Sequence, residues 1–423
     1  VIKNIIERIG MSYLPSVSIL FLFFVGSVIG QDSTRIKELE KRISQLEQKL
    51  EQEELRSLLN DAESIAEKKV EKQETKVFTG GERSLQALNP EISLAADVFG
   101  MYINNENGFT ETSRSGAHFR VAELQIQSTL DPFSMAKVIL EFTPEEVEFA
   151  EAYVSWSRIF KNASLTAGKF RQQFGVVNRW HAHALDQFKF PLPITTLLGE
   201  EGLNQIGLSF DWLMPAITAH SNMLTVQVTN GQNDHLFSGE AFSFPAVLAH
   251  LKNYYDLSQN TYLEFGLTGM MGRNNIRGFE EDSLILESSR LTKIGGIDLT
   301  LLWEPVDRAK YKSFLWRSEL YYVEKELPQN EIIKAYGLYT YGDYKFDRNW
   351  HAGIRFDYTQ PFEIENEDKY MYQFVPYLTW WQSEFVRLRL QYNYLNGNNV
   401  DVDDQTMRLQ ITWAMGPHKH ESY

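Results

Sequence analysis

His181 and His183 stand one residue apart, with Asp186 three positions further on. Imidazole and carboxylate are ordinary zinc ligands. Two histidines and one carboxylate on a segment with neither helical nor strand period supply no fixed coordination frame. The sequence therefore assigns no metal, and His181 and His183 stand only as candidates for one. The remaining chemistry-bearing residues are charges set at alternate positions: Arg317 with Glu319, Arg355 with Asp357, then Arg387, Arg389 and Arg408. There is no cysteine, which excludes disulfides, thiolate metal sites and cysteine nucleophiles. No Gly-rich phosphate loop, Gly-x-Ser-x-Gly elbow or His-Glu-x-x-His motif occurs. The net charge of −15 argues against a nucleic-acid surface, which needs clustered Lys and Arg. The chain reads as a non-enzyme without a cofactor.

The elements that must hold these charges are strands. From Glu91 onward the pattern has period two. In the segment from Phe385 to Tyr394, Val386, Leu388, Leu390, Tyr392 and Tyr394 share one face, and Arg387, Arg389, Gln391 and Asn393 share the other. Similar segments begin near Glu91, Gly116, Pro132, Glu146, Ala163, Gly202, Ala216, Ala246, Thr261, Lys293, Lys310, Ile332, Trp350, Lys369, Phe385 and Gln405. Sixteen is even, as bacterial membrane barrels require, and a barrel of that size leaves an aqueous lumen. Aromatic residues make up 13% of the chain while mean hydropathy is negative, a pairing that suits aromatic girdles around a wet interior. A β-sandwich can show the same alternation, but rarely over sixteen long strands with aromatics at their ends. The fold class is thus an all-β membrane protein, a 16-stranded antiparallel transmembrane β-barrel spanning 91–423.

A barrel in lipid gives its two faces opposite roles. A Lys or Arg on the lipid face at mid-bilayer costs about 2–4 kcal/mol. Arg317, Arg355, Arg387, Arg389, Arg408, Glu319 and Asp357 are accordingly the pore-lining candidates, either as an anion ladder or as a self-neutralising network. Between Phe174 and Glu201 strand periodicity lapses over a stretch long enough to be functional. Folded inward, this segment would narrow the pore, with Arg179, Asp186, Lys189, Glu200 and Glu201 as constriction candidates. Folded outward, it would cover a subunit contact. Arginines facing acidic loop residues would set up a transverse field across the opening.

Ahead of the barrel, residues 11–30 read as a signal peptide: an apolar stretch, too short to span a membrane, followed by Val28-Ile29-Gly30. Within 31–60, Ile36, Leu39, Ile43, Leu46 and Leu50 alternate spacings of three and four, a coiled-coil heptad of α-helix. The repeated Arg-Ile-x-x-Leu-Glu favours a three-stranded coil, and so a homotrimer, over the dimer that Ile and Leu at the core positions also suit. Residues 61–90 form a linker. This arrangement implies a bacterial outer-membrane location with the N-terminal segment in the periplasm, where it could touch the cell wall. The expected partners are outer-membrane lipid and small hydrophilic solutes, with no nucleic acid.

Several motifs resemble a known family, the bacterial porins of the phosphate-selective type and their relatives, some labelled zinc-regulated or TonB-dependent receptors. They are Leu85-Gln86-Ala87-Leu88-Asn89-Pro90-Glu91-Ile92-Ser93, Gly168-Lys169-Phe170 with Phe174-Gly175, and Asn178 to His183. Gly199-Glu200-Glu201-Gly202-Leu203 and Gly416-Pro417-His418 with terminal Tyr423 complete the set. The resemblance covers about residues 85–423 and implies a sixteen-stranded trimeric porin passing small hydrophilic solutes or ions. A TonB-dependent transporter would resemble a 22-stranded barrel behind a plug domain, whereas this chain has a heptad segment and a linker there. Phosphate selectivity would need more basic groups along one track than the sequence offers. The alternative is a receptor or binding protein whose barrel is plugged by its own loops.

Overall fold

The structure is a computed structural model. It describes residues 90–103, 115–233, 235–237, 245–274, 277–280, 283–286, 290–327, 331–399 and 404–416. The expected signal peptide, the coiled coil and nearly all of the linker lie outside the described residues, as do His418 and Tyr423. The strands are β1 (Glu91–Ile103), β2 (Gly116–Asp131), β3 (Ser134–Phe142), β4 (Val147–Phe160), β5 (Ala163–Arg171), β6 (Asn204–Met214), β7 (Ser221–Thr229), β8 (Ala246–Ser258) and β9 (Thr261–Asn274). A short hairpin of β10 (Arg277–Glu280) and β11 (Ser283–Leu286) follows. Then come β12 (Arg290–Trp303), β13 (Ser313–Glu326), β14 (Ile332–Lys345), β15 (Trp350–Thr359), β16 (Met371–Ser383), β17 (Val386–Gly397) and β18 (Asp404–Met415).

Leaving out the hairpin, sixteen strands form one closed antiparallel barrel. Closure comes from β1 against β18, in register from Leu94↔Met415 to Ile103↔Thr406. The expected strand number is therefore correct. The start positions agree within a few residues, the largest offset being Ala216 against Ser221. The β10–β11 hairpin was not anticipated, because two four-residue strands are too short to show a period.

The two faces carry the chemistry that alternation demands in lipid. On β18, Met407 and Leu409 are 45% and 48% exposed, while the alternate residues Arg408 and Gln410 are 8% and 1% exposed. Ile206, Leu208, Leu267 and Ile354 likewise stand outward. Apolar groups outside and polar groups inside invert the soluble-protein order, as a hydrocarbon surround requires. Both described ends of the barrel fall on one rim, together with the connections β2–β3, β4–β5, β6–β7, β8–β9, β12–β13, β14–β15 and β16–β17, none longer than nine residues. Phe133, Phe160, Phe314, Phe346, Trp350 and Phe385 lie at that rim and are exposed, forming an aromatic girdle. The opposite rim carries the longest connections, β5–β6 above all, beside short ones such as the four-residue β3–β4 turn.

Candidate functional site

The segment from Gln172 to Leu203, which joins β5 to β6, folds into the barrel. Its two ends are tied by Asn178, whose Nδ2 donates to the carbonyls of Gln172 (2.8 Å) and Leu203 (3.1 Å), and whose Oδ1 accepts from Leu203 N (2.8 Å). Gly202, at φ +71°, leaves the space that Asn178 fills. The segment contains two single 3-10 turns, Val177–Arg179 and Ala182–Ala184, and one short helix, α1 (Leu192–Leu197). Proline at positions 191 and 193 fixes φ where α1 begins.

On one side the segment packs on the wall built by β12 to β18. Glu319 of β13 accepts from the backbone N–H of both Val176 and Val177 (3.1 Å each) and from the hydroxyls of Tyr321 and Tyr339 (2.5 Å each). A buried carboxylate needs such donors to offset its lost hydration. Gly175 makes the approach feasible: its φ is +62°, and a Cβ there would overlap the Glu319 carboxylate. Further along, Arg387 Nη2 donates to His183 O (2.6 Å) and Arg389 Nη2 to Leu185 O (2.9 Å). Phe188 N donates to Gln391 Oε1 (2.9 Å), and Arg355 Nη1 to Lys189 O (2.9 Å). Leu192 N donates to Asp357 Oδ2 (3.1 Å), and Asp357 pairs with Arg355 at 2.9 Å. Beneath these bonds an apolar cluster fills that half of the lumen, joining Phe174, Trp180, Leu185, Ile194, Leu197 and Leu236 to Tyr321, Val323 and Tyr339 of the wall. Gly296 and Gly337 leave room on the wall for Phe174 and Pro193.

Arg317, Arg355, Arg387, Arg389, Arg408, Glu319 and Asp357 thus all lie on the inner face, buried under the segment. Arg317 packs over Trp180, with its guanidinium carbon 4.6 Å from the ring centroid, and lies 3.9 Å from Asp186. Arg408 packs over Phe188 at 5.1 Å. The expected opposition of Arg387, Arg389 and Arg408 to Asp186, Glu200 and Glu201 across an opening is not what the geometry contains. Glu200 and Glu201 are exposed where the segment returns to β6, and Lys189 is exposed as well. The two arginines of β17 instead grip main-chain carbonyls, the acceptors that a loop lacking its own ladder presents in abundance.

The other side is polar and less filled. A cavity of about 240 Å³ runs along β3 to β7, lined by Glu151, Ser155, Thr166, Ser209, Asp211 and Gln227 among others. From the inward segment, Gln173 and Arg179 face it, and Arg179 Nη1 donates to Gln173 Oε1 (2.8 Å). Sequence reasoning missed Ser155, Thr166, Ser209 and Gln227, which are visible only as the polar half of each strand's alternation.

His181 and His183 do not gather with Asp186, which turns away to accept from Tyr341 Oη (2.7 Å). They meet three strand carboxylates instead. His181 Nδ1 lies 3.1 Å from Glu123 and 3.2 Å from Glu141, its Nε2 lies 3.4 Å from Glu151, and His183 Nδ1 lies 3.2 Å from Glu123. Burial works against the charged form of His181, but the attraction of Glu123 and the neighbouring carboxylates prevails and holds its pKa well above the usual value. Near the long-loop rim, His235 Nε2 lies 2.8 Å from Thr196 O, and burial pushes its pKa below the usual value.

A closed sixteen-stranded barrel with an apolar belt, an aromatic girdle and an inward loop defines a class, that of outer-membrane porin-like barrels. No family model matches the chain. An uncharacterized protein of Aquifex aeolicus is 27% identical over 344 residues, covering 74% of this chain and 71% of that one. Among solved structures, the anion-selective porin from Comamonas acidovorans superposes with a TM-score of 0.54 at 10% identity, over 77% of this chain and 99% of that chain. The outer membrane channel DcaP of Acinetobacter baumannii gives 0.53 at 11%, over 80% and 100%. The trimer form of Vibrio cholerae OmpT gives 0.51 at 11%, over 77% and 99%. The likeness is one of fold and is shared by several porins, so it does not single out the phosphate-selective type.

Proposed function

We propose that the chain is an outer-membrane porin, a passive channel and not an enzyme, in which small hydrophilic solutes or ions pass along the β3–β7 wall. The cavity lined by hydroxyl, amide and charged side chains carries this reading, since it would give a solute water-like partners beside the inward segment. Arg171 and Arg179 with Glu151 and Asp211 place both signs of charge there, which favours dipolar and hydrated solutes over apolar ones. The reading includes a homotrimer in the outer membrane, with residues 31–60 in the periplasm. The heptad of Ile36, Leu39, Ile43, Leu46 and Leu50 supports it.

A second reading, a barrel plugged by its own loop for ligand binding, is favoured by the apolar packing of the segment on the β12–β18 wall. Single-channel recording in planar bilayers separates the two. Stepwise currents in groups of three support the trimeric channel. A silent barrel that nevertheless binds a solute overturns it.

A further inference from the structure

We propose that Glu123, Glu141 and His181 form a binding site for a divalent transition-metal ion of the zinc class, which fastens the inward segment to the wall of β2 and β3. The first reason is register. Glu123 and Glu141 are directly paired across β2 and β3, and Glu151 of β4 sits opposite Ile139, two residues from Glu141. Like charges directly opposite on neighbouring strands are destabilising, and a metal ion between them would relieve that repulsion in place of a charged imidazole.

The second reason is proton number. His181 Nδ1 stands 3.1 Å from a Glu123 oxygen and 3.2 Å from a Glu141 oxygen, yet it can carry one hydrogen and satisfy one of them. The three ligand atoms lie within 4.8 Å of one another. Zinc bonds of about 2.0–2.1 Å in a tetrahedron set neighbouring donors roughly 3.3–3.4 Å apart, close to the 3.1 and 3.2 Å that separate His181 Nδ1 from Glu123 and Glu141. One cation bonded to Nδ1 and both carboxylates would satisfy all three at once.

The third reason lies on the far side of the ring. His181 Nε2 and Glu151 Oε2 are buried, face each other at 3.4 Å and make no hydrogen bond. His181 is 6% and Glu151 5% exposed. With Nδ1 taken by a metal, the ring's single proton must sit on Nε2, aimed at Glu151. This is the carboxylate–histidine–metal arrangement that orients a ligating imidazole. Glu151 also lines the cavity, which gives an ion a route from the aqueous side. An imidazole beside two carboxylates favours a zinc-like ion over calcium or magnesium, which take oxygen ligands.

The test uses the full chain folded in detergent, with folding checked by heat-dependent gel mobility. Zn²⁺ alone is added and the retained metal measured after desalting; Co²⁺ is added separately and its visible spectrum recorded. The expected result is one Zn²⁺ per chain and a tetrahedral Co²⁺ spectrum. Losing a direct ligand should weaken binding by more than the roughly 10–100-fold that loss of an orienting partner costs. H181Q and E141Q should both show this, and D186N should bind as the unaltered chain does. If H181Q fails to fold, E141Q decides, since Glu141 lies at the partly exposed edge and the amide keeps its shape. A folded chain that retains no Zn²⁺, or retains it equally in E141Q, overturns the site.

Discussion

The β12–β18 wall and the β3–β7 wall are built from the same alternating strands, yet their inner faces do opposite work. On the later wall, Glu319, Arg355, Asp357, Arg387 and Arg389 spend their hydrogen bonds on the backbone of the inward segment and are buried by it. On the earlier wall, Ser155, Thr166, Ser209 and Gln227 border a cavity. A polar inner face is thus no guarantee of a wet one. What decides is whether another part of the chain offers main-chain partners at the same place.

The contrast breaks most severely if Glu319 is removed. E319A leaves two buried backbone N–H groups and two buried tyrosine hydroxyls without their acceptor, at about 1–3 kcal/mol for each orphaned group. The segment should leave the wall, seen as rapid proteolysis between residues 172 and 203 and as a larger, noisier current. G175V acts on the other partner of the same contact. A β-branched residue at φ +62° is strained, and its Cβ would displace the carboxylate. It should give the same phenotype at a smaller size, about 1–3 kcal/mol for the backbone alone.

R179Q sharpens the comparison from the cavity side. It removes a cation that faces the cavity, so reversal potentials should shift toward cations while the protease resistance of the segment is unchanged. The shift should shrink in 1 M salt, where the Debye length falls to about 3 Å. An unchanged ion preference at low salt would place Arg179 outside the conducting route.

The smallest effect concerns pH. His235 holds the segment through Thr196 O, and burial lowers its pKa in the docked state. Docking is then fully supported above the free-histidine value of about 6.5 and loses support as pH falls through the lowered one. Current flicker should rise modestly on acidification, and H235Q should flatten that dependence.

Much of this was legible in the residues. Period two located all sixteen barrel strands, because lipid on one face and water or polar protein on the other force strict alternation at Arg387 to Asn393 and again at Thr406 to Thr412. The loss of that period located the inward segment. The partners of each charge were not legible. Arg389 has the same sequence context whether it meets a carboxylate, a solute or the Leu185 carbonyl, and only the path of the segment decides. The pairing of Glu123 with Glu141 was hidden for a related reason: register follows from turn geometry, here a tight turn in which Asp131 Oδ1 accepts from Phe133 N and Ser134 N. Asp186 looked like the natural companion of His181 by proximity in sequence, but the chain turns between them.

The division of the lumen can be tested directly because the chain has no cysteine of its own. Single cysteines are introduced at Thr166, which borders the cavity, and at Thr300, which is buried on the later wall and accepts from Arg317 Nε (3.0 Å). A charged, membrane-impermeant thiol reagent is then added during recording in planar bilayers. T166C should react and lose a large part of its current, while T300C should stay unmodified with its current intact. Modification and block at T300C with none at T166C would contradict the account, since water would then run along the wall assigned here to the packed segment.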